Sequence, residues 1–222
     1  MKKRYLFLFI LFSIIAVWFY ATSHIPALPP LKDGDLVFQT TVTPQSGAII
    51  AATSSLYTHV GMITIENGRT LVIEAADVVG KRELNSWLDS GLLNRVAVYR
   101  DPELTQQQAQ RVIAAAEKLL GRPYDIFFSF NNEEMYCSEV PYLAFQEAGV
   151  PLGQVQKLSE LNVDNSQVKE LIRQRWQMQP ECKARQYDFD QCYQYIMGQE
   201  LITPVVMSDD PKLQMIYSNY YF

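Results

Sequence analysis

Two β-type runs, His59 to Ile65 (HVGMITI) and Thr70 to Ala75 (TLVIEA), are separated by Glu66-Asn67-Gly68-Arg69. Asn-Gly between such runs is the strongest short hairpin signal, because a two-residue type I′ turn needs residues that tolerate positive φ and its twist matches that of the strands. With Asn67 and Gly68 as the turn, Glu66 pairs with Arg69 and Glu74 falls opposite Gly61. Residues 59 and 61 then point to one face, so His59 and Glu74 become diagonal neighbours within about 7–8 Å. Gly61 has no side chain to stand between them. A turn one residue longer would send Glu74 to the other face.

The rest of the chain reads as helices around such a sheet. Asp35 to Thr40 (DLVFQT) follows an Asp-Gly turn and alternates, so it predicts a strand, as does Arg95 to Tyr99. Ser46 to Ser55 has helical spacing of small residues. Thr105 can cap a helix running to Leu120, with Gln108 as capping-box partner and Gly121 as the stop. In the segment from Gly121 to Gly149 a loop gives way to a helix. Pro141 is tolerated only near the start of that helix, which puts Cys137 at or close to its N-terminus. A further helix is expected from about Asn165 to Gln177, and a strand-like or irregular tail from Ile202 onward. The class is α+β, helices packed on a small antiparallel sheet.

The N-terminus stands apart. Lys2, Lys3 and Arg4 precede a run from Tyr5 to Ala21 without a charge, the pattern of an export signal or a membrane anchor over residues 1–21. Phe19 spoils a small-x-small cleavage site before Ala21, which favours an anchor, and no cysteine follows the run to carry a lipid. The basic residues face the cytoplasm under the positive-inside rule, which leaves residues 33–222 periplasmic or otherwise extracytoplasmic. Residues 22–32 carry three prolines and read as a linker that also contains His24. The remaining domain has a net charge near −9, so nucleic acid is a poor electrostatic partner.

Setting the linker aside leaves one histidine, His59, and three cysteines. In an oxidising compartment Cys182 and Cys192 are expected to close the loop between them as a disulfide, and one histidine with that spacing makes zinc the weaker reading. Cys137 remains unpaired. A cysteine at a helix N-terminus meets unpaired N–H groups and the positive end of the helix dipole, both of which favour thiolate. The competing reading is a small buried hydrophobe. With Glu74 orienting His59 and His59 receiving the proton of Cys137, the three residues have the logic of covalent acyl transfer. Asp35 and Glu139 are explained by turn and helix-start roles, and Phe127, Phe128 and Phe130 by a core wall in preference to an acyl pocket.

Gly34-Asp35-Leu36-Val37-Phe38, His59-Val60-Gly61-Met62, Gly121-Arg122-Pro123-Tyr124 and Cys137-Ser138 resemble segments of NlpC-type papain-fold cysteine peptidases. In those enzymes the cysteine segment comes first, and here it comes last. The order is similar to that of the circularly permuted branch, and THVGM, VIEAA, GRPYD…YCSEV and TPVVMSDDPKL resemble its bacterial YiiX-like subgroup, over about residues 33 to 211. The resemblance implies a permuted papain-like fold with Cys137 as nucleophile, His59 as base, Glu74 as orienting residue and Tyr124 near the nucleophile. Together with the Cys137 N–H, Tyr124 can hold an oxyanion; its alternative is a packing tyrosine. Asp125-Ile126-Phe127 and Glu139 depart from the peptidases where their cleft is shaped. The expectation is a cysteine amidase or peptidase of the cell envelope that needs no cofactor or metal. Its substrate class is an amide of cell-wall peptide or of an amine-bearing or lipid-linked molecule. Lipid acyl transfer of the lecithin:retinol acyltransferase-like type, or a non-catalytic binding module, stand as alternatives, and the oligomeric state is left open.

Overall fold

The computed structural model describes residues 2–23, 25–130 and 133–220, so His24 lies outside the described residues. The apolar run forms helix α1 (Lys2–Ser23), and side chains such as Tyr5, Phe9 and Phe12 are exposed along it. Strand β1 (Leu36–Gln39) leads to α2 (Ser46–Thr53), then to the hairpin β2 (His59–Glu66) and β3 (Arg69–Ala75). Strand β4 (Val79–Glu83), helix α3 (Leu84–Asp89), β5 (Ala97–Arg100) and helix α4 (Gln106–Glu117) follow. Helix α5 (Glu139–Glu147) begins two residues after Cys137, and β6 (Gln156–Lys157) leads into α6 (Ser166–Arg175), α7 (Pro180–Ala184) and α8 (Phe189–Met197). The chain ends through β7 (Glu200–Leu201), α9 (Pro204–Ser208) and β8 (Gln214–Ser218).

The main sheet is antiparallel, in the order β4-β3-β2-β1-β5-β8. Its register is the one that the Asn67-Gly68 turn predicts, with Glu66 opposite Arg69 and Met62 opposite Ile73. Asn67 and Gly68 adopt φ of 50° and 76°, the positive values a type I′ turn requires. One face carries Leu36, Phe38, Val60, Met62 and Ile73 into the larger core, against Val112 and Ala116 of α4 and Val140 and Phe145 of α5. The other face carries Val37, Ile63 and Val72 against Trp87 and Leu88 of α3.

The helix starts follow their caps. Thr105 and Gln108 form the expected capping box of α4, Asn165 caps α6, and Pro141 occupies the first turn of α5, where its missing N–H breaks no helical bond. Two expectations change. The stretch from Cys182 to Cys192, expected as a loop, holds two short helices capped by Gln179 and Asp188. The Cys182–Cys192 disulfide is present and ties those helices together, with Cα atoms 5.4 Å apart. The tail is partly helical, because Thr203 caps α9 with Pro204 at its first position, and β8 then adds an edge strand beside β5.

Candidate active site

His59 is the first residue of β2, and its Nε2 lies 2.6 Å from Oε2 of Glu74 on β3. The contact follows from the hairpin register. Gly61 lies between the two residues, and a β-carbon there would stand 2.3 Å from Cγ1 of Val72 and 3.4 Å from Nε1 of Trp87. The Glu74 carboxylate is buried, and two other groups hold it. Trp87 donates its indole N–H to Oε2 at 3.0 Å, and Nε of Arg82 stands 2.9 Å from Oε1. The Trp87 ring also stacks on His59 at 6.1 Å. Burial pushes the Glu74 carboxyl up, but His59, Arg82 and Trp87 outweigh it and hold the pKa below the ordinary carboxylate value.

With Nε2 committed to Glu74, Nδ1 is the ring nitrogen left to face Cys137, which lies beside the imidazole just before α5. Burial disfavours the His59 charge, yet Cys137 on one side and Glu74 on the other raise its pKa to about 10. Burial also acts against the Cys137 thiolate. His59 and the Val60 N–H outweigh it and lower the pKa from the ordinary thiol value. The resting state this favours is a thiolate beside an imidazolium, a coupled pair that titrates together. Cys137 is 4% exposed, so attack takes place in a site shielded from bulk water.

Tyr124 lies near Cys137, and burial followed by the nearby thiolate pushes its pKa well above the ordinary phenol value. The hydroxyl therefore keeps its proton. Gln45, just before α2, donates from Nε2 to the Tyr124 oxygen at 2.8 Å, while its Oε1 accepts from Arg175 of α6 at 3.0 Å. Because Arg175 can only donate, the orientation of the Gln45 amide is settled, and the Tyr124 proton is left to point elsewhere. Sequence reasoning placed Cys137, His59, Glu74 and Tyr124 here but missed Trp87, Arg82, Gln45 and Arg175. The tryptophan carried a signal, since it follows the β3–β4 pair that holds Glu74. Gln45 and Arg175 carried none.

Other candidates resolve differently. Asp35 is buried and takes two donors from Arg100, at 2.7 and 2.6 Å, so it is structural. Asp125 accepts the Phe127 and Ser129 N–H groups, each at 2.6 Å, and shapes the loop before α5. Glu139 makes no cap. It is fully buried, neither oxygen has a hydrogen-bond partner among the described residues, and burial raises its pKa to about 8. Phe128 and Phe130 pack edge-on against Tyr136 as a core wall. Phe127 and Phe128 also line a pocket of about 890 Å³, part of it open to solvent, that reaches Cys137. Its wall is largely apolar and includes Ala48, Ala52, Val168, Ile172 and Leu201.

A family model described as "Permuted papain-like amidase enzyme, YaeF/YiiX, C92 family" matches residues 30–217. The chain belongs to this family. A relative within it, "Uncharacterized protein YiiX" of Escherichia coli (strain K12), is 35% identical over 178 residues, 79% of this chain and 83% of that one. A crystal structure described as that of "metalloprotein yiiX" from Escherichia coli O157:H7 superposes with a TM-score of 0.76 at 29% identity, covering 86% of this chain and 98% of that one. The permuted papain-like fold expected from the motif order is thereby shown, and with it an enzyme of the cysteine hydrolase type. Among the described residues of this family member, no three His, Cys, Asp or Glu side chains converge as a ligand set, so no step is derived through a metal.

Proposed function

We propose that this permuted papain-like amidase cleaves its substrate through a thioester on Cys137. The thiolate attacks the acyl carbonyl, and the oxyanion that forms is met by the Cys137 backbone N–H and the Tyr124 hydroxyl. His59 passes its proton to the departing amine, and Glu74, steadied by Trp87 and Arg82, keeps the imidazole turned toward the reacting atoms. A water molecule activated by neutral His59 then hydrolyses the thioester. The observation that carries the reading is the histidine held between Cys137 and Glu74, the latter contact at 2.6 Å.

The domain is proposed to work on the outer side of the bacterial inner membrane, held by residues 5–21. Lys2, Lys3 and Arg4 before the apolar run support that orientation. Among the described residues no helix is long and apolar enough to cross a membrane, and the described side chains of α1 run only from Arg4 to Val17. The substrate is an amide of the cell envelope, either in cell-wall peptide or in an amine-bearing or lipid-linked molecule. Turnover of wild type against Cys137→Ala on such amides tests the mechanism: loss of turnover in the variant supports it, and equal turnover by both proteins ends it.

A further inference from the structure

We propose that Glu139 is a positioning residue for the oxyanion hole, neutral in the working enzyme, and that loss of its proton disables the hole. The inference rests on Cys137 as nucleophile and goes beyond it to a control on the catalytic loop. Glu139 is the first residue of α5, fully buried, with no hydrogen-bond partner for either carboxyl oxygen among the described residues. Orphaned oxygens in a buried site cost stability, and an apolar side chain of the same length would fill the space without that cost. Packing therefore does not explain the carboxyl. The backbone of the same residue leads directly to the oxyanion hole. The Glu139 N–H donates to the Tyr136 carbonyl at 3.1 Å, and that carbonyl belongs to the peptide unit that carries the Cys137 N–H. Ile202 pins the flanking side chains, since its N–H donates to the Tyr136 hydroxyl at 3.0 Å and its carbonyl accepts from Ser138 at 2.8 Å.

The second donor of the hole shares this support. Tyr124 stands in the chain between Arg122 and Asp125, the charged side chains that act on Glu139. Its segment is bridged to Met135, whose N–H donates to the Pro123 carbonyl at 2.8 Å and whose carbonyl accepts from the Asp125 N–H at 3.0 Å. Burial, with Asp125 adding to it and Arg122 acting against it, keeps Glu139 protonated up to about pH 8. The other elements around α5 bring it no counter-charge. The Tyr136 phenol is kept protonated by burial, Lys118 of α4 is paired with Glu147 at the far end of α5, and His59 of the sheet is held by Glu74. Once ionised, the Glu139 carboxylate needs donors that the site does not supply. It gains them by drawing in water or by moving outward, and either displaces the first turn of α5. The Tyr136 carbonyl then loses the Glu139 N–H, its peptide unit turns, and the Cys137 N–H no longer meets the oxyanion.

The test uses the full chain and p-nitrophenyl acetate, which acylates a thiolate through an oxyanion and whose phenolate leaves without a proton from His59. Cys137→Ala supplies the background to subtract. Between pH 7 and pH 9 the wild-type acylation rate is expected to fall by roughly tenfold, as the neutral share of Glu139 shrinks. Glu139→Gln keeps the shape of the side chain and cannot ionise, so its rate is expected to stay level over the same range. Iodoacetamide forms no oxyanion and should alkylate Cys137 with one pH profile in both proteins. Glu139→Met serves if Glu139→Gln does not fold. Glutamate labelled with 13C at the side-chain carboxyl should give a wild-type signal that titrates in step with the acylation rate and is lost in the folded variant. Equal acylation profiles in wild type and folded variant, or no glutamate titrating above about pH 6, overturn the proposal while leaving the thiol mechanism standing. Alkylation that falls together with acylation in the wild type also overturns it, because the effect then lies on the thiolate. A wild type that is alkylated but acylated at no pH has no working hole, and overturns the proposal alone. A folded wild type that iodoacetamide does not alkylate at Cys137 overturns the mechanism, and the proposal with it.

Discussion

The Gln45 side chain reaches the Tyr124 hydroxyl at 2.8 Å, and Arg175 holds the other end of the same amide at 3.0 Å. The chain of donors runs from α6 to the edge of the nucleophile, so the direction of the Tyr124 proton depends on a helix far from it in sequence. Tyr124→Phe is therefore expected to lower kcat by ~10²-fold, in line with loss of an oxyanion donor. Gln45→Ala acts one bond further away and is expected to cost roughly tenfold in kcat with KM little changed. Alkylation of Cys137 by iodoacetamide forms no oxyanion. It should be unaffected in both variants, and slowed alkylation would argue that they disturb the thiolate itself.

The thiolate–imidazolium pair sets the pH behaviour. Cys137 is held below the ordinary thiol value, so its alkylation should remain fast at pH 6, and His59→Ala should slow it there by roughly 10²-fold, toward the rate of a free thiol. Hydrolysis should decline as pH rises through about 10, where His59 loses the proton it must donate. Stability follows the same signs. His59, raised in the fold, contributes fully below its unfolded value near 6.5 and loses that contribution as pH rises through about 10. Glu74, lowered in the fold, contributes above its unfolded value near 4.5 and loses that contribution as pH falls through its folded one. Thermal melts from pH 3 to 11 should show both flanks.

Trp87→Phe keeps an aromatic ring near His59 but removes the N–H that Glu74 accepts at 3.0 Å. Leaving that buried carboxylate short of a donor is expected to cost about 1–3 kcal/mol in urea denaturation. The activity profile should also change shape, because a less firmly held Glu74 lets the His59 pKa move. A variant with the wild-type profile and only lower stability would assign Trp87 to packing alone.

Gly61→Ala places a methyl group 2.3 Å from Cγ1 of the fully buried Val72. Val72 is wedged between Ile63 and the α3 residues, so relief requires movement of the sheet face that carries Glu74. The expected loss is about 1–3 kcal/mol of stability. Gly61→Ala combined with Val72→Ala should recover part of it, as measured by the midpoint of denaturant unfolding.

The Cys182–Cys192 bond closes a short loop between α7 and α8, and chain entropy assigns it about 2.7 kcal/mol. Reduction should loosen the C-terminal helices before the sheet. Hydrogen exchange should show faster labelling across residues 176–197 with the β2–β3 hairpin still protected. Uniform loss of protection would mean that the two parts unfold together.

Features that depend on neighbours in the chain were open to reading from residues alone. The Asn67-Gly68 turn determined the hairpin register and so the meeting of His59 with Glu74, because side-chain period and turn type leave one face for each residue. Pro141 determined where α5 could begin and so the setting of Cys137, and Thr105 with Gln108 determined the start of α4. The short helices around the disulfide and at Thr203 carried cap residues too, but their brief periodicity hid them.

What joins distant segments was decided by tertiary packing alone. Gln45 meets Tyr124 across 79 positions and Arg175 across 130, and no local pattern encodes such pairs. The same holds for the pocket beside Cys137, whose wall is drawn from α2, α6 and α8. Apolar residues on a helix face look the same in sequence whether they fill a core or line a space. The difference lies in how closely the opposing surfaces fit once the chain is packed.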